Sequence, residues 1–173
     1  MNDRVILVNE HDHEVGNEEK LTAHQKGLLH RAFSIFIFNT LGKMLIHKRA
    51  SGKYHSGGLW TNACCSHPRP GETLEDAVHR RLKEEFGFDC PLKKVFSFIY
   101  KAHIPQGNLT EHEYDHVFEG TYDQTPQPNP EEIEDFAWIA MDELVQDVKK
   151  HPEKYTYWFK IALKEYNKRN VRD

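Results

Sequence analysis

Apolar and polar positions divide the chain into a short series of elements. RVILV (4–8) is the first apolar run and predicts a strand, and the polar stretch GNEEKLTAHQKG (16–27) reads as a short helix or loop carrying His24. LLHRAFSIFIFN (28–39) is the most apolar run, rich in Phe and Ile, and it ends in the turn residues NTLGK. It predicts a buried strand entering a hairpin whose partner is KMLIHKRA (43–50). After the glycine turn 51–58, LWTNACC (59–65) predicts another short strand, and HPRPG announces a helix over 73–87. Thr73 with Asp76 three residues on supplies an amino-terminal cap, and Gly87 a stop. Strands are expected at 93–102, 114–122 and 134–140, with the proline-spaced loop TPQPNPEE between the last two, and helices near 141–150 and 152–168 close the chain. Strands interrupted by one central helix and followed by further helices indicate an α+β domain with a mixed sheet.

Wrapped at the helical period, residues 73–87 place Leu74, Val78, Leu82 and Phe86 on one stripe, which predicts the core face. Glu85 falls inside that stripe, Arg81 lies at its edge and Glu84 points to the opposite side. A carboxylate against a core is costly unless a cation meets it. Either the Arg81 guanidinium, one helical turn away, or a metal ion can play that part.

Composition narrows the partners. With 173 residues and no compositional break, one domain spanning 1–173 is expected. The net charge of −4 gives no global electrostatic case for nucleic acid or an anionic membrane, so a small-molecule partner, no nucleic acid and no membrane are expected. The charged amino terminus resembles no signal peptide, which points to the cytoplasm, and a monomer is expected. Three cysteines, an odd number, argue against a disulfide framework. The adjacent Cys64 and Cys65 pair poorly with each other because one peptide unit cannot relax into ordinary disulfide geometry. On a strand they would face opposite ways, Cys64 as packing, while His67 would share the side of Cys65 if the strand continued.

The helix carries a resemblance. SHPRPGETLEDAVHRRLKEEFGF (66–88) resembles the Nudix box, the loop and helix that hold a divalent cation against a diphosphate, with Glu72, Arg80, Leu82, Glu84, Glu85, Gly87 and Phe88 at the family spacing. Ser66 stands where the box begins with Gly, and Arg81 stands where Nudix hydrolases carry a helix carboxylate. Losing that acid removes charge a hydrolase uses to gather magnesium and activate water, so diphosphate binding survives the change better than cleavage. Beyond the box, GLLHRAFSIFIFN, KMLIHKRASGKYHSGGLWTNACCSHPRPGE, TEHEYDHVF and YWF resemble the type 1 isopentenyl-diphosphate isomerases in the same order along nearly the whole chain.

That resemblance implies a Nudix-like mixed sheet sandwiched by helices and interconversion of isopentenyl and dimethylallyl diphosphate. Moving the double bond requires adding a proton at one end of an allylic system and removing one from another carbon, so two protic groups must face each other across an apolar slot. The family's cysteine and glutamate map to Cys65 and Glu113, with Tyr100 beside Glu113. The resemblance implies that His24, His30, His67, Glu111 and Glu113 ligate one zinc or manganese ion. It implies that Glu85 holds magnesium with the backbone carbonyl of Cys65, that Lys20, Arg49, Lys53 and Arg81 contact phosphate, and that Trp158 offers its ring to a carbocation. Without the family, Tyr100 and Trp158 would be read as core aromatics and the lysines and arginines as solvated charges.

Two alternatives compete. A Nudix pyrophosphohydrolase acting on a small diphosphate would share the box, but Arg81 and the Cys65/Glu113 pair argue against it. HEYDH (112–116) spells the H-E-x-x-H of zinc hydrolases, which requires a helix. Its aromatic and β-branched surroundings suit a strand instead.

Overall fold

The computed structural model describes residues 3–53 and 56–169. The glycine turn at 51–58 therefore lies partly outside the described residues. The elements run β1 (Arg4–Val8), β2 (Glu14–Glu19), α1 (Lys20–Lys26), β3 (His30–Phe38), β4 (Lys43–Arg49), β5 (Trp60–Thr61), β6 (Cys64–Ser66), α2 (Leu74–Phe86), β7 (Lys93–Ile104), β8 (Leu109–Thr121), β9 (Ile133–Ala140), α3 (Met141–Lys150), a 3-10 turn (Pro152–Lys154) and α4 (Tyr157–Arg169). The mixed sheet is as expected: β3 runs parallel to β8, and the other pairings between strands among the described residues are antiparallel.

Side-chain alternation along β3 divides the core in two. Phe33, Ile35 and Ile37 join Ala77, Val78, Leu82 and Phe86 of α2 in one apolar cluster, which bears out the expected helix stripe. Phe36, on the opposite face, packs with Trp158, Phe159, Ala162, Leu163 and Tyr166 of α4. The sheet is thus sandwiched by helices. Helix α2 begins where Thr73 Oγ1 accepts from the Asp76 amide at 3.1 Å, and it ends at Gly87. Gly87 has φ 71° and approaches the chain so closely that a Cβ would sit 2.7 Å from the Gln127 carbonyl oxygen, so only glycine fits.

The 28–39 and 43–50 runs close the expected antiparallel hairpin at Phe38↔Met44, beyond which β3 runs along β8 and β4 along β9. Four expectations need correction. The last helix starts at Tyr157 rather than 152, because residues 152–154 form a separate 3-10 turn and Thr156 Oγ1 accepts from the Phe159 amide at 3.2 Å. The 59–65 run is two strands, because the chain leaves the edge of β4 after Thr61 and joins the edge of β3 at Cys64. Residues 16–19 belong to strand β2, which the sequence hides because both of its faces are largely polar and wet; its order comes from backbone pairing with β1. Strand β8 begins at Leu109 rather than 114, and so brings residues 111 and 113 fully into the sheet. No helix among the described residues is long and apolar enough to cross a membrane.

Candidate active site

The site forms where three segments meet around β3. In the parallel register His30 stands opposite Glu113, and on the other edge of β3 Ser34 stands opposite Cys65. Helix α1, held by the β1–β2 hairpin, delivers His24; its carboxyl-terminal Gly27 carbonyl accepts from His112 Nδ1 of β8 at 3.1 Å. Alternation along β8 turns Glu111, Glu113 and Asp115 inward together, all three buried.

His24, His30, His67, Glu111 and Glu113 each present a donor atom, and these five atoms lie within 4.8 Å of one another. His30 Nε2 and His67 Nε2 stand 3.2 and 2.8 Å from Glu113 Oε2, His24 Nε2 stands 3.3 Å from Glu111 Oε2, and the Tyr100 hydroxyl donates to Glu113 Oε1 at 2.5 Å. Burial opposes ionisation of Glu113, but the hydrogen bonds from His30 and His67 hold its carboxyl well below the usual range. Burial and the Glu113 charge push the Glu111 carboxyl well up. Two adjacent buried carboxylates ringed by three imidazoles have the donor chemistry of a divalent transition-metal site, and a cation there would relieve their mutual repulsion.

The second predicted cation site fits as well. Glu85 is buried on the core side of α2, as its place in the stripe implies. Arg81 NH2 donates to Glu85 Oε1 at 2.9 Å, so the simple ion pair exists. Oε2 is buried without a hydrogen bond, and the Cys64 thiol also lies against the carboxylate. Burial pushes the Glu85 carboxyl up despite Arg81, so one guanidinium leaves this acid undercompensated.

A single cavity is lined by Lys20, His24, Arg49, Lys53, Cys65, Ser66, His67, Arg81, Glu85, Glu111, Glu113 and Trp158. Of the residues expected to act in catalysis, metal binding or substrate binding, all but His30 and Tyr100 line it, and those two both touch Glu113. The Arg49 guanidinium lies 5.0 Å from the Trp158 ring centroid. Lys53 pairs with Glu132 at 2.5 Å, Arg81 with Glu84 at 2.5 Å as well as with Glu85, and Lys20 with Asp3 at 3.3 Å, so acids beyond the His/Glu cluster hold three of the cations that line the cavity. Glu72 of the box takes a bidentate contact from Arg80 at 2.6 and 2.9 Å, and so fastens the 67–73 loop to α2.

The adjacent cysteines do face opposite ways. Cys64 is fully buried in the α2 cluster, whereas Cys65 is half-buried and opens into the cavity. Burial, then the Asp115 charge, push the Cys65 thiol up, favouring the protonated form. Its sulfur donates to Asn62 Oδ1 at 2.9 Å and lies 3.5 Å from Ser34 Oγ, which donates to Asp115 Oδ2 at 2.8 Å. Asn62, Ser34, Asp115 and Glu132 were not singled out in the sequence. Only Asp115 had a visible signal, as the third member of the 111, 113, 115 alternation. The H-E-x-x-H histidines lie on β8, with their four-residue separation spanning about 13 Å at strand rise, and Glu113 points to the other face. His112 is bonded to Gly27 and His116 faces Asp12 at 3.0 Å, so the zinc-hydrolase arrangement is not formed.

The sandwich and the box loop define a class of protein. The NUDIX domain matches residues 28–159, and a crystal structure of a Deinococcus radiodurans protein superposes with a TM-score of 0.71 at 23% identity, covering 85% of this chain and 89% of that one. A MutT NUDIX hydrolase from Burkholderia pseudomallei superposes at 0.56 and 21% identity, covering 79% of this chain and 96% of that one. The chain is a member of the Nudix superfamily. Among curated proteins it is 54% identical over 163 residues to isopentenyl-diphosphate Delta-isomerase 2 of Aromatoleum aromaticum, covering 94% of this chain and 86% of the relative. It is 51% identical over 173 residues to the enzyme of the same name from Photorhabdus laumondii, covering 100% and 97%. Within the Nudix superfamily, the chain belongs to the isopentenyl-diphosphate Delta-isomerases.

Proposed function

We propose that this protein interconverts isopentenyl diphosphate and dimethylallyl diphosphate by proton exchange between substrate carbon and the pair Cys65 and Glu113. The observation that carries the reading is the entry of both side chains into one cavity, from strands on opposite edges of β3. One of the pair gives a proton to the terminal methylene carbon, leaving a tertiary carbocation. The other removes a proton from the neighbouring methylene, and that C–H electron pair becomes the new double bond. No bond to phosphorus is broken. The raised thiol of Cys65 keeps a proton available, and the Tyr100 hydroxyl holds the Glu113 carboxylate at Oε1. The Trp158 ring, one wall of the cavity, suits a transient positive charge. Lys20, Arg49, Lys53 and Arg81 of the cavity lining would hold the diphosphate.

Two cations belong to this reading. His24, His30, His67, Glu111 and Glu113 would hold zinc or manganese, which would supply positive charge beside Glu113, and Glu85 with the Cys65 carbonyl would hold magnesium, which would offset the charge of the diphosphate. The decisive experiment is NMR of isopentenyl diphosphate in D₂O with folded protein, Mg²⁺ and Zn²⁺ or Mn²⁺. Dimethylallyl diphosphate carrying deuterium is the expected product. Phosphate release without double-bond migration would establish a pyrophosphohydrolase instead, and no deuterium incorporation would reject the isomerase.

A further inference from the structure

We propose that Asn62 is a positioning residue for the Cys65 thiol: its side-chain oxygen accepts from the resting thiol and fixes where the sulfur stands in the cavity wall, and so sets the geometry of transfer to carbon. This deepens the isomerase reading and rests on it. Asn62 lies in the two-residue break where the chain passes from the edge of β4 to the edge of β3, and it is fully buried behind the cavity wall. Its Nδ2 donates to the carbonyls of Ile35 at 3.0 Å and Cys64 at 2.9 Å. Both amide protons are therefore committed to groups that can only accept, which fixes the O/N orientation of the side chain. A flipped amide would set its oxygen against two carbonyl oxygens.

The fixed orientation leaves Oδ1 facing Cys65 Sγ at 2.9 Å and Thr61 Oγ1 at 3.0 Å. An amide oxygen only accepts, so the thiol is the donor. The other neighbour of the sulfur, Ser34 Oγ at 3.5 Å, has its proton on Asp115 Oδ2 and presents a lone pair. Both polar groups at Sγ are thus acceptors. The sulfur is thus held by a backbone-anchored amide, and its resting position is inherited from the sheet rather than from substrate. Reacting atoms must lie close and aligned for transfer, and a misplacement of about 1 Å costs on the order of 100-fold in rate.

The test compares wild-type protein with Asn62→Ala, using steady-state isomerisation and the S–H stretching band of Cys65, identified by its loss in Cys65→Ala. A kcat lowered about 10- to 100-fold with KM within about 3-fold is expected, because Asn62 touches the thiol and not the cavity. The S–H band should move to higher frequency as its acceptor is lost. A kcat within about 3-fold of wild type, or a loss that only follows the fraction of folded protein, overturns the proposal. If Asn62→Ala does not fold, the wild-type spectrum decides: a band at the frequency of a free thiol, or none, overturns it. Wild-type protein that folds, binds metal and yet does not isomerise isopentenyl diphosphate defeats the functional reading, while the band still reports whether the hydrogen bond exists.

Discussion

Replacing each of the adjacent cysteines with alanine separates catalysis from packing. Cys65→Ala removes one hydrogen bond, to Asn62 Oδ1, but leaves that oxygen its bond from Thr61 Oγ1 at 3.0 Å, so no buried acceptor is orphaned. The stability cost is then about 1 kcal/mol, the net worth of one hydrogen bond, which for a chain of this size lowers Tm by about 2–4 °C. Turnover should fall by at least about 100- to 10,000-fold, the usual contribution of a positioned acid or base. Cys64→Ala truncates a fully buried side chain in the α2 cluster and costs about 1–2 kcal/mol, while Cys65 keeps its partners. Build-up of the dimethylallyl signal by NMR and thermal unfolding measure the two effects on the same samples. Cys65→Ala retaining more than about a tenth of wild-type turnover, or folded Cys64→Ala losing all of it, would refute the assignment of the two residues to different faces and different tasks.

Other outcomes follow from the same geometry. Tyr100→Phe removes the 2.5 Å donor to Glu113 Oε1 and should lower kcat about 10- to 100-fold with KM little changed, since the hydroxyl meets the carboxylate and not the diphosphate. Stripping the His/Glu cluster with a chelator should lower both Tm and turnover; restoring zinc or manganese to about 100 times its Kd should return about 2.7 kcal/mol and the activity, read by scanning calorimetry and the NMR assay. His47 is buried against Phe86, and burial followed by the Arg49 charge hold its pKa down to about 3 from an ordinary 6.5. The unfolded chain takes up this proton below pH 6.5 and the folded chain does not, so stability should fall by about 1.4 kcal/mol per pH unit between pH 6.5 and 3. Denaturant titrations of His47→Gln should lack that part of the slope.

Much of the fold is legible because burial imposes a period. The α2 stripe, its cap and its stop are set by local chemistry, and Glu85 betrays itself by sitting among Leu74, Val78, Leu82 and Phe86. Strand β2 carries no such pattern, since an edge strand with two wet faces is ordered by backbone pairing alone. The break at Asn62–Ala63 is invisible for another reason: side chains alternate along LWTNACC whether it pairs with one strand or two. Within the site, the metal-type cluster and the cations lining the cavity follow from the family resemblance. Asn62 and Ser34 look like ordinary polar residues until Ile35, Cys64 and Asp115 are placed around them.

The parallel pairing of β3 with β8 has a consequence for how this chain can change length. Its register runs without interruption from His30↔Glu113 to Phe38↔Thr121. One residue inserted into β8 after Glu113 would force a bulge or shift the strand's first half by a place, turning Glu111 and Glu113 to the outer face together. The 105–108 turn lies beyond that pairing and can gain or lose residues while the donors stay in register. The site thus tolerates a change of length at the 105–108 turn but counts residues in β3 and β8, and a library built on this scaffold should vary length at that turn rather than within the two strands.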